Sequence, residues 1–293
     1  TETDVLTING SQLNYKAFGT SSIMFGDTTT GTISGANYNT GVGIDVFAAL
    51  TTGDENIALG YSALNDLTTG SSNTAMGSTA GAKITTGGSN VALGADSLKN
   101  TTTASDNTAV GKSALTANTS GTVNTAVGST ALSANTTAAS NTAIGYGALA
   151  TATTGGLNTA VGRSALLDLT TGTPNVAVGA YAGQSVTTGA SNTFIGYQAG
   201  DATTTADGNT AVGRDSLVAN TTGASNTAVG RAALDANTTA SNNTAVGMNS
   251  GTAVTTGASN TYLGAEAGEG NTTHSYNTGT GFRALEANHS SSD

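Results

Sequence analysis

The chain has 293 residues and a net charge of −10, from 8 Lys and Arg against 18 Asp and Glu; it contains 41 Gly, one Pro, no Cys and only 4% aromatic residues. So few cations exclude nucleic acid as a partner, because phosphate neutralisation needs clustered positive charge. Without Cys there is neither a disulfide nor a thiolate metal site, and no stretch approaches the roughly 18 consecutive apolar residues of a membrane-spanning helix, so membrane insertion is not expected.

Residues 1–21 form an N-terminal cap or connector. Val5-Leu6-Thr7-Ile8 followed by Asn9-Gly10 reads as a strand and a turn. A solenoid end needs such a cover, since an open rung is an unpaired strand edge.

From Ser22 to Asp293 the chain is sixteen copies of a 17-residue unit without insertion or deletion. The purest form is N-T-A-V-G-x-x-A-L-x-x-N-T-T-G-x-S, clearest at 124–140 and 226–242. The first copy is degenerate, as terminal repeats usually are. Strict self-similarity at a short period marks a solenoid in which each unit is one turn stacking on its neighbours. Recurrent Gly, Thr and Asn disfavour helix. The fold class expected is therefore all-β, a parallel β-solenoid (β-helix or β-roll) of sixteen rungs over residues 22–293. Extended segments are expected at T-A-V and around A-L. At about 4.8 Å per rung the stack would be roughly 75 Å long.

Position 1 of the unit is Asn in every copy but the first, as at Asn107, Asn124, Asn141 and Asn158, and reads as a ladder of identical amides at a corner. Position 5 is Gly throughout, as at Gly111, Gly128, Gly145 and Gly162, and reads as a corner that needs positive φ or close backbone approach. Position 4 is apolar in all copies but the last, where it is Thr280; Val110, Val127, Ile144 and Val161 are expected in the core together with Leu115, Leu132 and Leu149 of position 9. Where position 9 is Gly, an aliphatic residue at position 12 replaces it in three copies: Ile84 after Gly81, Val186 after Gly183 and Val254 after Gly251. Alternation along a strand then puts the Ala column of position 3 on the opposite face. Ala109, Ala126, Ala143 and Ala160, with Ala114, Ala131 and Ala148 of position 8, are expected to pack against another copy of the chain, because two aliphatic side chains per rung make a thin core.

The unit resembles the repeats of tail-fibre-domain proteins of phages and bacteria. Its N-T-A-V-G and N-T-A-I-G stretches are similar to the N-S-V-A-I-G motif in the heads of trimeric autotransporter adhesins. The resemblance implies a homotrimeric fibre on a virion or a bacterial surface, presenting or spacing a receptor-binding surface. Many of the tail-fibre proteins carry a following chaperone domain that cuts itself off; an end at Asp293, the last residue of the sixteenth copy, is what self-cleavage or a shortened chain would leave.

No catalytic constellation, cofactor motif or metal-ligand pattern is present, and no enzyme is expected. His274 and His289 stand at different positions of the unit and read as exposed. The carboxylates, such as Asp66, Asp168, Asp201 and Asp235, fall on variable positions and read as a solvated face. Position 6 mixes Tyr61, Tyr146 and Tyr197 with Arg163, Arg214 and Arg231. It is either a recognition stripe for a cell-surface glycan or protein, since both residue types are enriched at recognition surfaces, or a corner that tolerates anything. The paired Thr of positions 13 and 14, as in Thr136-Thr137 and Thr221-Thr222, are either an ice-binding array or simply turn residues bonding local backbone. The first expectation is thus a structural fibre shaft with an attachment role. An extracellular adhesin or self-assembling filament subunit is the alternative, and an ice-binding solenoid the third.

Overall fold

A computed structural model describes residues 5–8, 11–26, 33 and 35–286, those before Ala17 by backbone alone. The chain divides into two units, Thr1–Asn141 and Thr142–Asp293. Among the described residues there is no helix.

In the first unit, β1 (Val5–Ile8) and β2 (Ser11–Phe18) pair antiparallel, and β2 pairs antiparallel with β3 (Ser22–Gly26). The N-terminal segment is therefore a hairpin added to the first rung; Asn9-Gly10 lies outside the described residues. From β3 onward each strand pairs parallel with the next: β4 (Thr40–Gly43), β5 (Ile57–Leu59), β6 (Thr74–Met76), β7 (Val91–Leu93), β8 (Thr108–Val110) and β9 (Thr125–Val127). The register joins residues 17 apart, as in Ala109 with Ala126. The second unit repeats this with β10 (Thr142–Ile144), β11 (Thr159–Val161), β12 (Val176–Val178), β13 (Thr193–Ile195), β14 (Thr210–Val212), β15 (Thr227–Val229), β16 (Thr244–Val246), β17 (Thr261–Leu263) and β18 (Thr278–Thr280). The fold is a parallel β-solenoid with one 17-residue unit per rung.

Only T-A-V forms a strand. The segment around A-L, expected to be extended, is a pair of successive turns, closed by Ala114 N–H to Gly111 C=O (3.2 Å) and Asn118 N–H to Leu115 C=O (3.2 Å). Residues of positions 7 and 9 take left-handed backbone, as in Ser113 (φ 58°) and Leu115 (φ 52°). A left-handed Leu costs about 1–2 kcal/mol. Burying its side chain recovers roughly 1.5–3 kcal/mol, which explains why Leu persists there and why Gly replaces it freely. The turns stay tied to the stack: Leu115 N–H donates to Ala131 C=O and Ala117 N–H to Ser133 C=O in the next rung.

The core differs from the sequence expectation in which face of the strand it uses. Ala109, Ala126, Ala143 and Ala160 are fully buried inside the coil, as are Ala114, Ala131 and Ala148, so none of them is a chain-to-chain contact. Val110, Val127 and Val161 are half-exposed and Ile144 is 40% exposed; position 4 points outward rather than into the core. The interior of a 17-residue coil is narrow, and Leu115, Leu132 and Leu149 of position 9, which are buried as expected, already fill it from the opposite wall. Only a methyl fits beneath them.

Exceptions to that rule keep the volume constant. Ile84, Val186 and Val254 are buried where position 9 is Gly. Phe194 and Tyr262 enter the core from position 3, each in a rung whose own position 9 is Gly and above another that is Gly. A Cβ on Gly200 would fall 2.4 Å from the Phe194 ring and one on Gly183 2.6 Å; on Gly268 it would fall 2.4 Å from the Tyr262 ring. Conversely, where position 3 is Gly41, position 9 is the buried Phe47. The Tyr262 hydroxyl accepts from Asn271 Nδ2, which supplies the partner that a buried phenol needs.

Candidate interaction surfaces

The corners set the geometry of both outer surfaces. Asn124 is buried and bonded within the stack: its N–H and Nδ2 both donate to Asn107 Oδ1 (3.0 and 3.2 Å), its Nδ2 also donates to Ala138 C=O (2.9 Å), and its Oδ1 accepts from Asn141 N–H (3.0 Å). The same pattern runs through each unit, Asn107 on Asn90, Asn141 on Asn124 and Asn175 on Asn158. These buried amides are satisfied along the stack, as a corner ladder requires. Gly111, Gly128, Gly145 and Gly162 have φ between 132° and 138°. That backbone is essentially closed to L residues, and a Cβ on Gly111 would lie 2.6 Å from the Gly128 carbonyl. Position 5 is therefore invariant within the repeat whereas the milder left-handed positions 7 and 9 are not.

The first surface is the outer face of the parallel sheet. Position 2 supplies a column of Thr with occasional Ile or Val, and position 4 a column of Val, Ile, Leu and Met. Val42, Leu59, Met76, Ile195, Val246 and Leu263 are each around 40% exposed. No charged residue occurs at either position from Thr40 to Thr280. Single exposed aliphatics need no explanation, but contiguous apolar columns mark interaction surfaces.

The second surface lies round the glycine corner at positions 6 and 7. Tyr61, Tyr146 and Tyr197 are exposed, as are Arg163, Arg214 and Arg231. In the second unit these side chains meet: Arg163 covers the ring of Tyr181 at 5.3 Å, Arg214 that of Tyr197 at 5.9 Å, and the two Tyr rings pack edge to face at 6.0 Å. Tyr181 was not singled out from sequence, since it stands at position 7; its signal is that position 6 of the same rung is Ala180. Arg214 also pairs with Asp215 at 2.9 Å. Among the described residues Arg163 and Arg231 make no ion pair.

The threonines of position 13 do not present a hydroxyl array to solvent, whereas those of position 14, such as Thr137 and Thr222, are exposed. At position 13, Thr51, Thr68, Thr119, Thr170 and Thr221 each donate to the carbonyl of the position-13 residue in the next rung, at 2.9–3.0 Å. They brace the stack. His274 is half-buried rather than exposed, because it occupies position 15, an inward corner where the fourteen preceding copies carry Gly or Ala; His289 lies outside the described residues. The His274 Nδ1 is buried without a hydrogen-bond partner among the described residues.

Burial raises the Asp201 and Asp235 carboxyls above their ordinary value, and their neighbours Asp168 and Asp215 respectively add to the shift. Asp96 is lowered by hydrogen bonds from Lys99 and Thr79. Among the described residues no three His, Asp or Glu side chains gather as a metal site requires, and no helix is long and apolar enough to cross a membrane.

No protein-family model, no curated protein and no solved structure matches this chain.

Proposed function

We propose that the chain is a non-enzymatic structural protein, the shaft of an extracellular fibre on a phage tail or a bacterial surface, with a role in attachment. Copies associate, three to a fibre, through the outer face of the sheet. The observation that carries this reading is the uncharged Thr and aliphatic double column, which the chain leaves half-exposed from rung to rung. A second copy is the occupant that fits it best. It presents the same 17-residue pitch, so ridges and grooves stay in step along the stack, and the contact avoids every charge of a chain whose net charge is −10. A standard interface of about 800 Å² per partner is within reach of a handful of such rungs. The trimer and the extracellular setting come from the resemblance of the repeats. An adhesin or filament subunit built from the same coil would use the same face.

Light scattering tests the association. The expected mass is three times the 28.3 kDa of one chain. Val110→Asp with Val127→Asp should reduce it to that of one chain while leaving the fold intact, since both side chains point outward. A wild-type mass of 28.3 kDa removes the reading.

Ice binding is the second reading, moved from the turn to the sheet. The position-13 hydroxyls of the turn are occupied, but Thr125 and Val127 with their equivalents form a regular T-x-V array on that face. Thermal hysteresis from a monomeric protein would favour it; its absence would remove it.

A further inference from the structure

We propose that the arginine and tyrosine lane of the second unit, from Tyr146 to Arg231, binds a linear anionic polysaccharide bearing carboxylate groups, with the polymer lying along the stack. Tyr146, Arg163, Tyr181, Tyr197, Arg214 and Arg231 stand at the turn edge of successive rungs, about 4.8 Å apart. Three of the protein's eight Lys and Arg residues fall in this lane. Among the described residues Arg163 and Arg231 have no carboxylate partner, although the chain carries more than twice as many acids as bases. The Arg163 guanidinium, held over the Tyr181 ring, is fixed in direction and keeps its outer N–H groups free for a bidentate anion, whereas Arg214, over Tyr197, spends its Nε on Asp215 and offers only its terminal nitrogens.

The spacing selects the class of ligand. From Arg163 to Arg214 is three rungs, about 14 Å, and to Arg231 one more. Duplex DNA carries a charge every ~1.7 Å, far denser than this lane can match, and would meet the net negative charge of the chain as well. A glycan with one acid group every sugar or two has the required sparse charge, and its apolar sugar faces suit the exposed rings of Tyr146 and Tyr197. A lane that runs along the stack across six rungs fits a polymer rather than a single sugar. The inference deepens the attachment role and rests on it for the display of several parallel lanes on one fibre.

The experiment measures binding of immobilised full-length protein to alginate, a linear uronate polymer, and to dextran, a neutral one, with light scattering on the same preparations. Expected are binding to alginate, weakened by salt, and none to dextran. Arg163→Ala with Arg231→Ala should weaken alginate binding about tenfold or more, and Tyr197→Ala should weaken it less. Arg163→Lys with Arg231→Lys should restore part of the loss, since charge returns without the planar fork. Assembled wild-type protein that ignores alginate, binds dextran equally well or tolerates the double alanine change overturns the lane; monomeric protein that binds alginate overturns the fibre and leaves the lane standing.

Discussion

The two faces of each three-residue strand follow different rules. Inside, Ala109 and its equivalents answer to volume, and three departures are matched close by: Phe194 by Gly183 and Gly200, Tyr262 by Gly251 and Gly268, Gly41 by Phe47. Outside, Thr108 and Val110 and their equivalents vary little and answer to nothing within the chain. The contrast separates residues that make a rung from residues that make an assembly, and substitutions sharpen it.

The largest effect is expected at the corner that both faces share. Gly111→Ala forces a Cβ against the Gly128 carbonyl at φ 132° and should cost about 3 kcal/mol or more in thermal or denaturant unfolding. Ala109→Phe should cost about 1–3 kcal/mol by overpacking, whereas Val110→Thr on the outer face should stay within about 0.5 kcal/mol. Adding Leu98→Gly and Leu115→Gly to Ala109→Phe copies the Phe194 setting and should recover part of the loss; no recovery would mean that the glycines are not what admits the ring. Asn124→Ala should cost about 1–3 kcal/mol, because Asn141 N–H loses its acceptor in a buried corner.

The smallest effect concerns charge. Asp201 and Asp235 hold a proton more tightly folded than unfolded, so their contribution to stability is most favourable below the ordinary carboxylate range and falls as pH rises through their raised values. Asp201→Asn with Asp235→Asn should therefore stabilise slightly at neutral pH, with the gain vanishing in acid. Asp96 runs the other way: its lowered carboxyl stabilises at neutral pH, and the contribution is lost as pH falls.

Much of this was legible in the sequence. The period gave the coil, and invariance gave the Asn and Gly corners and the Leu column. The orientation of the strand was not legible, because alternation says only that Val110 and Ala109 face opposite ways. Choosing the larger residue as core follows the usual rule for globular proteins, and it fails where the opposite wall is a few ångströms away. The second half of each rung misled for a different reason: Leu115 at left-handed φ carries no local signal of its own. Five glycines at position 9 were the available hint, and they mark both the backbone and the space it leaves. On the surface, Tyr181 escaped because lanes are built from adjacent positions of neighbouring rungs, which a single column does not reveal.

The two aromatic rings bear on how so repetitive a chain avoids winding wrongly. Any T-A-V strand can pair with almost any other at the same register, so a coil that skipped a turn would keep most of its backbone hydrogen bonds. Phe194 fits only with Gly183 and Gly200 beside it, and Tyr262 only with Gly251 and Gly268. A turn skipped just before either rung brings Phe194 against Leu166 or Tyr262 against Leu234 instead. The rings thus act as keys cut for one lock each, giving otherwise interchangeable turns a fixed address along the coil.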